Sequence, residues 1–188
     1  MSPVTHLLVG WTVANSTTLN RRERTVVTLA GIIPDVDGLG LIPDFLTRNS
    51  TNPLEWWGEF HHVLAHNLGF ALVVAVTTFL VSTRRWVAAS LAFLSFHLHL
   101  LGDLVGARGP EGYQWPIPYL SPFSDAWQLT WEGQWALNSW PNFLVTGVAL
   151  VLAFWIAWRR GCSPVEIVST RTDLTFVQAL RQRFGEPT

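Results

Sequence analysis

The chain of 188 residues has no lysine, one cysteine and few charges of either sign. Without lysine, and with a net charge of −1, it offers no basic stripe to a nucleic acid. The single cysteine, Cys162, excludes an internal disulfide and any cysteine-based zinc site. It follows Arg159 and Arg160 at the end of an apolar run and reads as an idle thiol. Charged residues make up 13%, against roughly 25% in soluble domains, while 49% are hydrophobic and mean hydropathy is +0.27. That shortage of charge favours a membrane setting. Eleven tryptophans agree with it, because indole suits the boundary between an apolar layer and water. Internal repeats are missing, and no basic segment precedes the first apolar run, so the reading is one domain without a cleavable leader.

Long hydrophobic runs are also scarce. Crossing the hydrocarbon takes about 20 apolar residues, and the helical runs at 4–19, Leu68–Val81, 86–103 and 143–158 all fall short. Some of these helices are therefore tilted or only partly immersed. Residues 25–33 cannot span alone. The Pro and Gly spacing of PDVDGLGLIPD says loop, and Pro53 is placed to start a helix carrying Glu55, Trp56, Trp57 and Glu59. Residues 104–141, rich in Gly, Pro and Trp, read as a structured loop or lid. The chain divides into a membrane domain, 1–162, and a C-terminal amphipathic tail, 163–188. In the tail, 172–184 forms a short helix with Phe176, Val177, Leu180 and Phe184 on one side. The tail either lies on the membrane surface or docks on the domain.

The arginines orient this bundle. If Leu68–Val81 runs inward, the next long helix outward and 143–158 inward, then Arg84, Arg85, Arg159, Arg160, Arg171, Arg181 and Arg183 are cytoplasmic. Arg21, Arg22 and Arg24 join them if the first helix also runs inward, leaving only Arg48 and Arg108 outside, the asymmetry expected from the positive-inside rule. The same threading gathers the histidines and several aspartates at the outer ends of their segments.

All six histidines fall into clusters with acidic company. They are His6, then Asp35 and Asp37, then His61, His62 and His66, then His97, His99 and Asp103 within LSFHLHLLGD. His99 and Asp103 are four apart and rise from one helix face. Burying both without a partner would be costly, which points to a metal or to a mutual pair. His97 faces elsewhere and reads as support. Helical i,i+4 spacing joins His62, not His61, to His66. Nitrogen and carboxylate donors without thiolates suit zinc, manganese or iron, and their number exceeds what one tetrahedral zinc uses. A site with two or more ions is the natural inference, and hydrolysis of a phosphoester by a metal-activated water is the reaction it supports best. His62 and Asp37 are the candidates for proton transfer.

The ordered set THLL, PDVD, HHVLAH and HLLGD, followed by WPIPYLSPFSD, resembles the YdjM-type family of inner-membrane metal-dependent hydrolases over residues 5 to 125. The resemblance implies that His6, Asp35, Asp37, His61, His66, His99 and Asp103 are the metal ligands. The family is itself similar, distantly, to zinc-dependent phospholipase C, which implies an all-helical fold, a multinuclear zinc site and phosphoester hydrolysis. Departures fall around the ligands: His62 stands where the family has Arg, Val63 and Ala65 where it has Gly and Thr, and Asn67 where it has Ser.

The expectation is thus an all-α, membrane-embedded helical bundle with a multinuclear metal site at one end, in the inner (cytoplasmic) membrane, multi-pass, with that site on the extracytoplasmic side. Trp56, Trp57, Trp115, Trp127, Trp131, Trp135 and Trp140 would form an interfacial collar, and a membrane lipid headgroup would be the phosphoester. The alternative is a non-catalytic metal-binding membrane protein, a sensor or a scaffold. A structural site of that kind should be closed by protein, whereas a catalytic one keeps a position for water.

Overall fold

The computed structural model describes residues 1–109, 112–124 and 126–187. Asp125, the last residue of the WPIPYLSPFSD stretch, lies outside the described residues. The fold is all-α, as expected, with helices α1 (Pro3–Ala14), α2 (Arg21–Ala30), α3 (Leu41–Thr47), α4 (Trp56–Phe60), α5 (Leu68–Val81), α6 (Arg85–Gly106), α7 (Trp140–Arg160) and α8 (Thr170–Phe184). Two short strands, β1 (Ile117–Pro118) and β2 (Gln128–Leu129), pair antiparallel within the connection from α6 to α7.

Helix α6 occupies the middle, packed by α1, α2 and α5, and α7 lies against α1. Small residues allow this closeness. Ala14, Ala30, Ala88 and Ala92 meet around Val27, and fully buried Trp11 fills the space between α1 and the Ala149–Ala153 face of α7. The opposite faces are apolar and uncovered: Leu72, Val73, Val76 and Leu80 on α5, and Val148, Val151 and Trp155 on α7. Apolar surface of that extent marks a membrane or partner-facing surface. Helices α6 and α7 are long and apolar enough to cross a membrane, and α2 with segment 33–47 makes a third span if its 50° bend is counted within one. At 1.5 Å per residue, α1 and α5 reach about 18 and about 21 Å, short of the roughly 30 Å of hydrocarbon.

Local chemistry sets the helix ends. Asn20 and Glu23 form a reciprocal capping box at the start of α2. Glu23, although buried, also accepts from the Arg84 N–H at 2.6 Å, so one carboxylate ties the first turn of α2 to the start of α6. Asn67 caps α5 by accepting from the Phe70 N–H at 2.9 Å. Asn and Ser are both strong caps, so the exchange noted in the sequence keeps the device.

Two expectations need correction. Residues 34–44, read as a loop, wind through a 3-10 run, Ile33–Gly40, directly into α3. Pro34 sits in its first turn, where a missing N–H costs nothing. Pro53 does not open α4, because Asp44 does: its two carboxylate oxygens accept from Trp56 and Trp57 N–H at 2.7 and 2.9 Å. The tail residues pack on the bundle. Arg24 grips Glu166 with two hydrogen bonds of 2.6 and 2.7 Å, the Arg21 side chain donates to the Glu166 carbonyl, and Phe176 meets Phe154.

Candidate metal centre

The 22-residue helix α6 delivers His99 and Asp103 to one end of the bundle, and three other pieces of chain meet them there. Helix α1 brings His6, the 3-10 run brings Asp35 and Asp37, and the chain between α4 and α5 brings His61, His62 and His66. At Gly102 a Cβ would lie 3.0 Å from His6 Cε1, so the glycine of HLLGD is what lets the His6 ring approach α6. That ring lies on the His99 ring, with centroids 3.8 Å apart.

One ligand atom each from Asp35, His66, His99 and Asp103 falls within 4.8 Å of all the others. His99 Nε2 is 2.9 Å from Asp103 Oδ2, 3.1 Å from His66 Nε2 and 3.7 Å from Asp35 Oδ1, and His66 Nε2 is 3.6 Å from Asp103 Oδ2. Two ligands of one tetrahedral zinc, each about 2.0 to 2.1 Å from it, stand about 3.3 Å apart. The observed spacings bracket that value.

The outer sides of the two imidazoles are already engaged. His99 Nδ1–H donates to the Gly31 carbonyl at 2.9 Å, and His66 Nδ1–H donates to Asp37 Oδ2 at 2.9 Å. Each ring therefore turns its Nε2 lone pair inward, toward the other and toward Asp103. Oδ2 of Asp35 and Oδ2 of Asp103 are buried without a hydrogen-bond partner among the described residues. Converging lone pairs and orphaned carboxylate oxygens repel unless a cation lies among them. The donor set fits a divalent metal ion.

The remaining histidines and Asp37 surround this group. Asp103 Oδ1, the oxygen turned away from His99, receives His6 Nε2 at 3.1 Å and the Met1 amino group. Asp37 is outside the four: its oxygens accept from His61 Nδ1 at 2.9 Å, from His66 Nδ1 and from the Ala65 N–H at 3.2 Å. His61 is the C-cap of α4, and His62 has φ +68, a left-handed backbone that is uncommon outside glycine and is found at functional sites. The chain from 61 to 66 is thus not a helix, and i,i+4 spacing does not decide between the two histidines. His62 Nε2 reaches within 4.0 Å of Asp103 Oδ2, while its Nδ1 is buried and unpartnered among the described residues. Burial pushes the His62 imidazole down to about 3, so it is neutral near pH 7. Burial also works against the His66 cation, but the Asp103 and Asp37 carboxylates outweigh it and raise His66 to about 9. A proton on His66 Nε2 occupies the place a metal would take.

His97 turns away from the group. It donates to the Phe93 carbonyl and accepts from the Tyr119 hydroxyl, both at 2.8 Å. Sequence reasoning did not find Gly31, because a backbone carbonyl leaves no residue-type signal. It also did not find Gln134, whose amide donates to the Asp103 carbonyl at 2.8 Å. A cavity of about 610 Å³ opens beside the group, lined by Asp35, Asp103, His61 and His62 and walled by Trp57 and Trp115. Trp57 stacks on His61 at 5.3 Å, and Trp115 meets His62 edge-on at 5.2 Å. Of the expected tryptophan collar, Trp56, Trp127, Trp131 and Trp140 are exposed, whereas Trp57 and Trp115 serve the cavity.

The sequence model of a family described as YdjM inner membrane protein matches residues 1–177. No curated protein and no solved structure matches the chain.

Proposed function

The chain belongs to the YdjM inner membrane protein family, and from that premise we propose that it is a membrane-bound, metal-dependent hydrolase of phosphoesters. The observation that carries the reading is the inward turn of His66 Nε2 and His99 Nε2 toward Asp35 and Asp103, each of which has a buried oxygen unpartnered among the described residues, next to an open cavity. A sensor or scaffold with a structural ion would call for a closed site instead. A divalent ion there, zinc by its nitrogen and oxygen donors or else manganese or iron, supplies Lewis acidity that activates water and neutralises charge on phosphoester oxygens. Asp103, with one oxygen toward His6 and the other toward His66 and His99, would help to hold such an ion.

The chain's own groups take the other roles. Asp37 orients His66 and His61 through one hydrogen bond to each ring, and its bond from the Ala65 N–H holds the carboxylate in place. His62, which lines the cavity and is unpartnered at Nδ1 among the described residues, would hydrogen-bond and orient the attacking water. A lipid headgroup is the economical substrate, since Leu39, Leu41, Ile42, Phe45 and Leu46 expose an apolar surface just after the Asp35–Asp37 turn. Arg21, Arg24, Arg84, Arg160 and Arg181 share the opposite end of the bundle, which by the positive-inside rule supports a metal group facing the extracytoplasmic side. The test is headgroup release from phospholipid vesicles by the purified protein, followed by mass spectrometry with and without chelator. Release that is indifferent to chelation would rule out the mechanism.

A further inference from the structure

Arg108 is one of two arginines that the charge pattern leaves on the side of the metal group, and it lines the same cavity as Asp35 and Asp103. It follows α6 by two residues and is fixed there by backbone: its N–H donates to the Trp135 carbonyl, and its own carbonyl accepts from Leu137 N–H, both at 3.1 Å. Its side chain makes no ion pair among the described residues. Nη2 donates to the Glu132 carbonyl at 2.5 Å, whereas Nε is buried with no hydrogen-bond partner. A buried guanidinium donor left unmatched is costly, and an anion with several acceptor oxygens is the ligand that matches it. The neighbouring walls are the apolar faces of Trp57 and Trp115.

We propose that Arg108 is the anion-binding residue of this cavity and takes the phosphate oxygens of a phosphate-bearing ligand whose apolar part lies against Trp57 and Trp115. The inference rests on the phosphoester reading above and names the group that selects the substrate. Asp35 and Asp103 alone would repel such a ligand; Arg108 supplies a fixed positive charge and a planar fork within the same cavity.

The test is binding of decylphosphonate and methylphosphonate, neither of which can be hydrolysed, to the metal-loaded full-length protein in a non-ionic detergent, read by tryptophan fluorescence and calorimetry. Arg108→Gln is expected to weaken phosphonate binding about ten- to a hundredfold with its metal content unchanged. Arg108→Lys, which keeps the charge without the fork, should lose part of that affinity, and Arg48→Gln none. Should Arg108→Gln not fold, Arg108→Lys decides alone. Wild-type affinity in Arg108→Gln, or in Arg108→Lys where that variant decides, overturns the proposal, as does a wild-type protein that binds neither phosphonate. Tighter binding of the decyl compound identifies a lipid headgroup as the source of the phosphate, and equal binding identifies a soluble phosphoester. Because neither probe turns over, Arg108-dependent binding without any hydrolase activity would sink the enzymatic reading and leave this one standing. Metal-dependent hydrolysis with an indifferent Arg108 would do the reverse.

Discussion

His66 Nε2 and His99 Nε2 face each other at 3.1 Å, and each ring is aimed by the hydrogen bond that its Nδ1–H donates on the far side, to Asp37 and to the Gly31 carbonyl. Two neutral imidazoles held this way present lone pair to lone pair. The arrangement is stable only with a proton or a metal ion between them, and the four following predictions use that relationship or its supports.

Replacing the two histidines of HLH should separate binding from stability. His99→Ala removes a converging donor and should abolish stoichiometric metal by elemental analysis. His97→Ala removes the bonds to Phe93 and Tyr119 and should keep the metal while losing about 1–2 kcal/mol of stability in thermal unfolding. The opposite pattern would reverse the assignment of the two rings.

Asp37→Asn keeps the shape of the side chain but weakens its hold on His66 and His61. Metal affinity should fall about 10- to 100-fold, as for other outer carboxylates behind a histidine ligand. Competition with a fluorescent chelator measures it, and an affinity equal to wild type would show that the carboxylate does not aim the ring.

Proton and metal compete for His66. Its imidazole, raised to about 9 in the metal-free protein, must lose a proton to bind an ion, so loading at pH 7 should release protons and weaken further on acidification. For stability the sign is set by the shift: the contribution of His66 is fully present below its ordinary value of 6.5 and is lost as pH rises through about 9. His62, lowered to about 3, acts in the other direction, so stability falls as pH drops from 6.5 toward 3. Calorimetric titration in buffers of different ionisation enthalpy would detect the released protons, and none released at pH 7 would contradict this assignment.

Asn67→Ala removes the cap of α5, one residue beyond His66, and should cost about 1 kcal/mol in unfolding, while Asn67→Ser should cost little. Equal losses in both variants would mean that the amide bonds to Val63 and Leu64, not the cap, are what matters there.

Much of this was legible in the sequence because it rests on period and spacing. The bounds of α5 are those of its apolar run, and the His99–Asp103 pair shares a face because α6 is unbroken through it. What was not legible depends on backbone shape. Pro34, Gly38 and Gly40 suggest a loop as readily as the 3-10 run they form, and the cap of α4 comes from Asp44, twelve residues before Trp56. The positive φ of His62 carries no residue-type signal, so the pairing read from i,i+4 spacing had no means of anticipating it. Gly31 works through its carbonyl, invisible to any reading by side chain.

The central claim is that Asp35, His66, His99 and Asp103 hold a catalytic ion. X-ray absorption on the purified protein, paired with phosphoester hydrolysis before and after chelation, tests it most directly. The account predicts at least one divalent ion per chain with histidine nitrogen and carboxylate oxygen neighbours, no sulfur, and activity that disappears with the ion and returns when it is restored. A protein that carries no stoichiometric metal, or that hydrolyses equally well without it, would contradict the account.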